Sequence, residues 1–191
     1  MSNAHYEMRF CGTGGQGMML MGDVLAQAAG IHEENEVVLL KSYGPEARGG
    51  ACRSELIIDK KRINYPALSK PDFVLAMSQL ACLSYTNDMD KENGVLLVDT
   101  DLVSQVPEDI KNVYKLPLSQ IAKDETGKVI TANVVALGAI SVLAKGVGEE
   151  ATLTAILDRF PEKLHAVNKK AFKAGAEAAR ALLDRGIVWN E

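Results

Sequence analysis

Four glycines within six residues form the segment of this sequence best suited to binding. They occupy positions 12, 14, 15 and 17 of GTGGQG and match the pattern G-x-G-x-x-G. The preceding run, Tyr6 to Cys11, predicts a strand, and Met18 to Ala29 predicts a helix. Glycine lets the backbone approach a ligand closely, so amides at the start of the helix can face an anion. The sequence therefore predicts a phosphate or carboxylate cradle made by Gly12, Thr13, Gly14, Gly15, Gln16 and Gly17.

The residues after the glycine segment restrict which nucleotide it could hold. Met18 and Met19 stand where a Walker A loop carries Lys and Ser/Thr, which argues against a nucleoside triphosphatase. NAD binding needs an acidic residue at the end of the second strand, but that strand ends in Lys41 and Ser42. A free-standing NADP-binding protein remains an alternative if Lys41 meets a 2′-phosphate. A further alternative is a structural subunit whose glycines only allow a helix to pack tightly on a strand.

A second glycine-rich segment, SYGPEARGG, follows the second strand at positions 42 to 50. It predicts a loop at the same sheet edge as the glycine segment, where open α/β sheets bind ligands. The candidate binding residues in this loop are Ser42, Tyr43, Glu46 and Arg48. The guanidinium of Arg48 can donate two hydrogen bonds to a carboxylate or phosphate. Alternatively, Glu46 and Arg48 form an internal ion pair that fixes the loop.

Composition favours one α/β domain of 191 residues with 47% hydrophobic and 24% charged residues. A net charge of -4 argues against a nucleic-acid surface. The longest apolar run, Val134 to Ala144, is too short to span a membrane, and the chain opens without a signal peptide, so we expect a cytoplasmic protein. Residues 2–4 (Ser-Asn-Ala) resemble an expression-vector remnant and are left out of the fold argument.

The three cysteines, at positions 11, 52 and 82, lie far apart in sequence. This spacing fits neither a zinc site nor an iron–sulfur cluster, so we expect no metal in this chain. Cys11 adjoins the glycine segment, and a small buried strand residue explains it more simply than a reactive thiol does. The three histidines are equally dispersed, and no catalytic residue can be named.

Periodicity predicts a three-layer α/β/α fold with a mostly parallel, Rossmann-like sheet that carries an antiparallel hairpin. The first strand, helix and second strand form a βαβ unit, and Ala51 to Asp59 pairs with Arg62 to Tyr65 as the hairpin. Later strands are expected near residues 72–77, 94–98 and 112–116, and later helices at 78–85, 132–145, 152–159 and 162–183. The helix from Ala132 is apolar on nearly every face, so it is buried in the domain or against another chain.

Taken together, these motifs are more specific than the glycine pattern alone. With GTGGQG opening a helix and SYGPEARGGACRSELII following the second strand, the chain resembles the gamma subunit of 2-oxoacid:ferredoxin (or acceptor) oxidoreductases. Tyr65-Pro66, Met77-Ser78 and the segment NVVALG from Asn133 extend the resemblance over most of the chain. The segment PEARGGACRSE is more similar to the 2-oxoglutarate branch than to the pyruvate branch.

The resemblance implies oxidative decarboxylation of a 2-oxoacid with coenzyme A as a substrate, electrons passing to ferredoxin or another acceptor. Thiamine diphosphate, Mg and iron–sulfur clusters are then expected in partner subunits, because this chain has neither a Gly-Asp-Gly motif with its downstream Asn nor a cysteine cluster. The implied partners are thiamine diphosphate-binding and ferredoxin-like subunits, with a homodimer left open. The isolated chain is expected to be inactive, and its loops to shape the coenzyme A or active-site entrance.

Overall fold

A computed structural model describes residues 5–43 and 50–185. In those residues six strands and six α-helices follow one another along the chain. The strands are β1 (Tyr6–Thr13), β2 (Glu36–Tyr43), β3 (Ala51–Asp59), β4 (Phe73–Ala76), β5 (Val95–Asp99) and β6 (Asn112–Leu116). The helices are α1 (Met18–Gln27), α2 (Gln79–Tyr85), α3 (Leu118–Thr126), α4 (Ala132–Leu143), α5 (Glu149–Arg159) and α6 (His165–Asp184). A π-helical turn, Ala28–His32, follows α1, and a 3-10 turn, Val129–Thr131, precedes α4.

The strands form one sheet in the order β2-β3-β1-β4-β5-β6. Strands β1, β4, β5 and β6 are parallel, and β3 is antiparallel to both of its neighbours, β1 and β2. The predicted α/β class with a mostly parallel sheet and an antiparallel pair is confirmed. Strands β1 and β2 run in the same direction, as the predicted βαβ unit requires, but β3 lies between them.

The predicted partner of β3 was wrong, because residues 62–65 form no strand. Both edges of β3 are already occupied, by β1 and β2, so no edge is left for the chain that follows Asp59. That chain is instead fixed by Glu7 of β1, a nearly fully buried carboxylate. Its Oε2 accepts hydrogen bonds from the backbone N–H groups of both Ser69 and Lys70, each at 2.8 Å.

Successive side chains of β1 point to opposite faces of the sheet and therefore belong to two different cores. Met8 and Phe10 face the larger core, which is closed by α1 and by the helices from α3 to α6. Cys11 faces a smaller core under α2. The sheet therefore has a helical layer on each face, as predicted, but the second layer is thin. Of the helices in the described part of the chain, none is both long and apolar enough to cross a bilayer.

The apolar helix α4 is buried by its own chain, mainly against α6. A Cβ built on Gly138 would lie 2.0 Å from the carbonyl oxygen of Phe172, and one on Gly175 would lie 1.9 Å from that of Val135. The two helix backbones therefore touch through reciprocal glycines. This contact also sets which face of α6 is buried: the buried residues of the helix are Asn168, Ala171, Phe172, Gly175, Ala176 and Ala179.

Candidate functional site

The glycine segment forms the loop between β1 and α1, at the carboxyl edge of the parallel strands. The side chain of Gln16 holds the loop in place. Its Oε1 accepts a hydrogen bond from the backbone N–H of Thr13 at 2.7 Å, and its Nε2 donates to the carbonyl oxygen of Met77 at 2.7 Å. Met77 directly follows β4, so one amide side chain joins the loops of two adjacent strands.

Two glycines of the loop adopt a backbone conformation that other residues avoid. Gly15 has φ of 98° and Gly17 has φ of 82°, both in the left-handed region. Nothing lies within 4 Å of a Cβ built on Gly15, but a Cβ on Gly17 would lie 2.3 Å from Nδ2 of Asn133. Gly17 is therefore required twice, by its backbone angle and by the close approach of α4. Gly14 and Gly15 are exposed.

A cavity of about 160 Å³ opens beside this loop. It is lined by Gly15, Gln16, Met77, Ser119, Val129, Ile130, Ala132 and Asn133. The 3-10 turn before α4 supplies an apolar wall, since Val129 is 52% exposed and Ile130 77% exposed. Side chains of this size are normally buried, so the wall is suited to contact with a ligand or another subunit.

The helices α1 and α4 both begin at this cavity, because Gly17 and Asn133 are in contact. In the described part of the chain no side chain caps either N-terminus. The hydroxyl of Thr131, the residue that precedes α4, donates instead to the carbonyl oxygen of Lys128 at 2.8 Å. Helix N-termini attract anions through their free N–H groups. The arrangement can thus hold an anionic group through backbone amides.

The described lining of the cavity offers hydrogen-bonding groups but no acid–base group. Among the lining residues that the structure describes, none has an ionisable side chain. The hydroxyl of Ser119 donates to Oδ2 of Asp99 at 2.6 Å, and Asp99 is fully buried. Burial is the main influence on Asp99 and raises the pKa of its carboxyl group. Asp99 also accepts from the N–H groups of Asp101 and Ser119, so it caps a turn and α3 rather than facing a ligand.

The predicted site residues do not all come together. Gly15 and Gln16 line the cavity, and the other glycine-segment residues form its loop. Ser42 and Tyr43 end β2 at the same sheet edge, but β3 separates them from β1 and they do not line the cavity. Tyr43 is 72% exposed. The other two predicted residues, Glu46 and Arg48, lie outside the described residues.

Sequence reasoning missed most of the cavity wall. The helix α3 that carries Ser119 was not predicted, and neither was the exposed turn with Val129 and Ile130. A signal was present at Asn133, a polar residue at the second position of a mostly apolar helix. Met77 had another signal, because residues directly after a parallel strand lie at the carboxyl edge.

Two residues considered for chemistry have structural roles. Nζ of Lys41 lies 2.6 Å from Oδ1 of Asp23 on α1, so its charge is paired within the chain. The thiol of Cys11 is fully buried and donates to the carbonyl oxygen of Leu75 at 3.1 Å. Burial raises the pKa of this thiol, which keeps it protonated and unreactive. Among the described residues, no group of three or more His, Cys, Asp or Glu side chains is placed to hold a metal ion.

Comparison with known proteins supports the family that the motifs resemble. The model of the pyruvate ferredoxin/flavodoxin oxidoreductase family matches residues 7–178. The chain belongs to this family. It is 44% identical over 178 residues to 2-oxoglutarate synthase subunit KorC of Methanocaldococcus jannaschii, a match that covers 92% of this chain and 95% of the relative.

Solved structures agree with the sequence match. The gamma subunit of a keto/oxoacid ferredoxin oxidoreductase from Geobacter sulfurreducens superposes with a TM-score of 0.85 at 41% identity, covering 93% of this chain and 97% of that one. A 2-oxoglutarate:ferredoxin oxidoreductase from Magnetococcus marinus, solved with 2-oxoglutarate, coenzyme A and succinyl-CoA bound, gives a TM-score of 0.83 at 25% identity. That match covers 94% of this chain and 32% of the other.

The free-standing NADP-binding alternative is not supported. In a Rossmann fold the second strand lies beside the first, so its end reaches the ribose of a ligand on the glycine loop. Here β3 separates β2 from β1, and Lys41 is paired with Asp23. The end of β2 therefore does not lie beside the glycine loop, and the ammonium group of Lys41 is already paired, so neither is placed to contact the ribose of a dinucleotide.

Proposed function

We propose that this chain is the gamma subunit of a 2-oxoacid:ferredoxin oxidoreductase that converts 2-oxoglutarate and coenzyme A to succinyl-CoA and carbon dioxide. The observation that carries the proposal is the 44% identity to a 2-oxoglutarate synthase subunit over nearly the full length of both chains. Two electrons leave the substrate for each thioester formed, and ferredoxin or another acceptor receives them. The three free cysteines, all buried, fit a reducing compartment and support a cytoplasmic location.

Within the complex, partner subunits carry the thiamine diphosphate, Mg and iron–sulfur clusters that perform the decarboxylation and electron transfer. This chain contributes binding. The neutral cavity beside Gln16 and the N-termini of α1 and α4 suit the phosphate groups of coenzyme A, which need donors rather than acid–base groups. Exposed Val129 and Ile130 suit contact with an apolar part of the same ligand or with a neighbouring subunit.

Reconstitution tests the assignment. Mixing the purified chain with the thiamine diphosphate-binding and ferredoxin-like subunits should give coenzyme A-dependent reduction of a viologen dye. We expect 2-oxoglutarate to be used in preference to pyruvate. A preference for pyruvate would refute the choice of substrate but not the role as a subunit, whereas full activity of the complex without this chain would refute that role.

The purified chain by itself is expected to contain neither iron nor thiamine diphosphate and to be colourless and inactive. The reason is that Cys11, Cys52 and Cys82 are fewer than the four cysteines that usually ligate a cluster, and among the described residues no group of three or more His, Cys, Asp or Glu side chains is placed to hold a metal ion. Metal analysis and the visible absorption spectrum check this expectation. Stoichiometric iron in the chain purified without its partners would contradict the proposal that only the partner subunits carry iron–sulfur clusters.

Gln16→Glu is expected to raise the KM for coenzyme A at least about tenfold in the reconstituted enzyme, a loss of roughly 1.4 kcal/mol. The carboxylate loses the donor that now reaches Met77 and places a negative charge where phosphate would bind. The matched control is Gln27→Glu, at the far end of α1, where the side chain is exposed and bonds Asp158. Steady-state kinetics with varied coenzyme A checks the prediction, and equal KM values for the two variants would contradict it.

A further inference from the structure

Among the residues that the structure describes, strand β2 has no partner on its outer side and lacks the usual protection of an edge strand. It is eight residues long and pairs with β3 in unbroken register from Glu36 to Tyr43, without a bulge or a proline. Its central residues, Val37 to Leu40, are apolar and only partly buried. Proteins normally blunt such edges with lysine, proline or bulges, because an open strand pairs with other chains. The one lysine here, Lys41, is held against α1 by Asp23.

The opposite edge of the sheet differs. Strand β6 has only five residues, and its sequence, NVYKL, does not contain an apolar run like that of β2. Its residues Val113 and Leu116 are buried, whereas no residue of β2 is. Of the two edge strands, β2 is therefore the one at which another chain can pair.

We propose that β2 pairs antiparallel with β2 of a second copy of this chain, which joins two six-stranded sheets into one about a two-fold axis. A two-fold interface must be self-complementary. In antiparallel pairing, directly opposed side chains lie on the same face, so odd positions must oppose odd ones and even positions even ones. The axis then passes through Leu39 or through Leu40, the two residues nearest the middle of the strand, and the leucine on the axis meets its own copy.

The charges of β2 favour antiparallel over parallel pairing. Exposed Glu34 and Glu36 mark the amino end of the strand. Antiparallel pairing keeps the acidic ends of the two copies apart, whereas parallel pairing would place them side by side.

The exposed apolar side chains at the ends are also matched. Ile31 is 70% exposed in the turn that packs on the start of β2, where a Cβ on Gly30 would lie 2.9 Å from Val37. Tyr43, at the opposite end, is 72% exposed and lies on the face of the sheet that α1 covers, opposite Cys52. Pairing two copies brings Ile31 of each close to Tyr43 of the other, so both lose their exposure.

Sedimentation of the full-length chain between about 1 and 100 μM gives the first test. We expect twice the mass of one chain at the upper concentrations. Cysteine cross-linking then locates the interface, because opposed Cα atoms in antiparallel strands are about 4.5–5.5 Å apart, within the range of a disulfide. Either Leu39→Cys or Leu40→Cys should form a disulfide-linked dimer on mild oxidation, according to which residue lies on the axis.

Val37→Cys is the matched control. In both registers its own copy lies at least about 13 Å away along the strand, so it should not cross-link. The native cysteines are buried and should leave the parent chain uncross-linked. A parent chain that stays monomeric at about 100 μM overturns the proposal, and so does a dimer in which neither axis variant cross-links. These measurements use the isolated chain and are independent of the assigned reaction.

Discussion

Gly175→Ala is expected to lower the free energy of unfolding by about 3 kcal/mol, near the upper end of the usual cost of overpacking a core. The added methyl group would lie 1.9 Å from the carbonyl oxygen of Val135. The obstacle is backbone within a helix, so it cannot be relieved by a change of rotamer. The helices α4 and α6 must separate, and α4 is buried along ten of its twelve residues. Urea unfolding followed by circular dichroism measures the loss.

A nearby substitution separates this effect from helix propensity, which alone would favour alanine over glycine. Glu177→Ala, slightly further along α6, removes an exposed ion pair with Lys173, whose N and O atoms are 3.6 Å apart. It should change the free energy of unfolding by less than about 0.5 kcal/mol. Gly138→Ala should reproduce the large loss, because it meets the same interface from α4. A Gly175→Ala variant as stable as the parent would show that the helices are less closely packed than described.

The sequence predicts most of the fold because the pattern of each element is local. Apolar runs such as Phe73–Ala76 and the periodic helix from His165 can be recognised without knowing their neighbours. The position of β3 could not be recognised in this way. Whether a strand inserts between β1 and β2 or pairs with the chain after it depends on competition among distant segments. Here the backbone of residues 69 and 70 is bonded to the Glu7 side chain and forms no strand, and β3 lies beside β1.

The candidate site was predictable where backbone geometry determines it and not where tertiary packing does. Gly15 and Gly17 adopt left-handed backbone angles, and a glycine-rich loop is where such angles are expected. The wall that faces them comes from Val129 and Ile130, more than 100 residues away in the chain. Whether an isoleucine is exposed or buried depends on tertiary packing, so no sequence pattern identifies Ile130 as part of the wall. The contact of Gly17 with Asn133 depends likewise on how α4 packs.

Arg9→Met is expected to lower the free energy of unfolding by about 3 kcal/mol at neutral pH, because it removes the hydrogen-bonded partner of the buried Glu55 carboxylate and leaves only the longer contact with Arg53, at 3.3 Å. Arg9 is 4% exposed, and its Nε donates to Glu55 at 2.7 Å. Its Nη2 donates to Asp88 at 2.9 Å and its Nη1 to the carbonyl oxygen of Tyr85 at 2.8 Å. The substitution keeps the length of the side chain but removes all of these donors. Chemical unfolding at pH 7 measures the loss.

A matched control removes a cation from an exposed pair. Lys111→Met breaks the contact with Glu92, whose side chain is 64% exposed, and should cost less than about 1 kcal/mol. If both variants lose the same stability, burial is not what makes the Arg9 network important.

The loss caused by Arg9→Met should also depend on pH. The hydrogen bond from Arg9 is the main reason that the pKa of Asp88 is lowered in the folded protein. A carboxyl group with a lowered folded pKa stabilises the fold above its ordinary value, about 3.9, and this contribution disappears as the pH falls through the folded pKa. The difference in stability between parent and Arg9→Met should therefore be constant from pH 7 to about pH 5 and shrink below about pH 4. A difference that grows on acidification would show that the network stabilises the fold without the charge of Asp88.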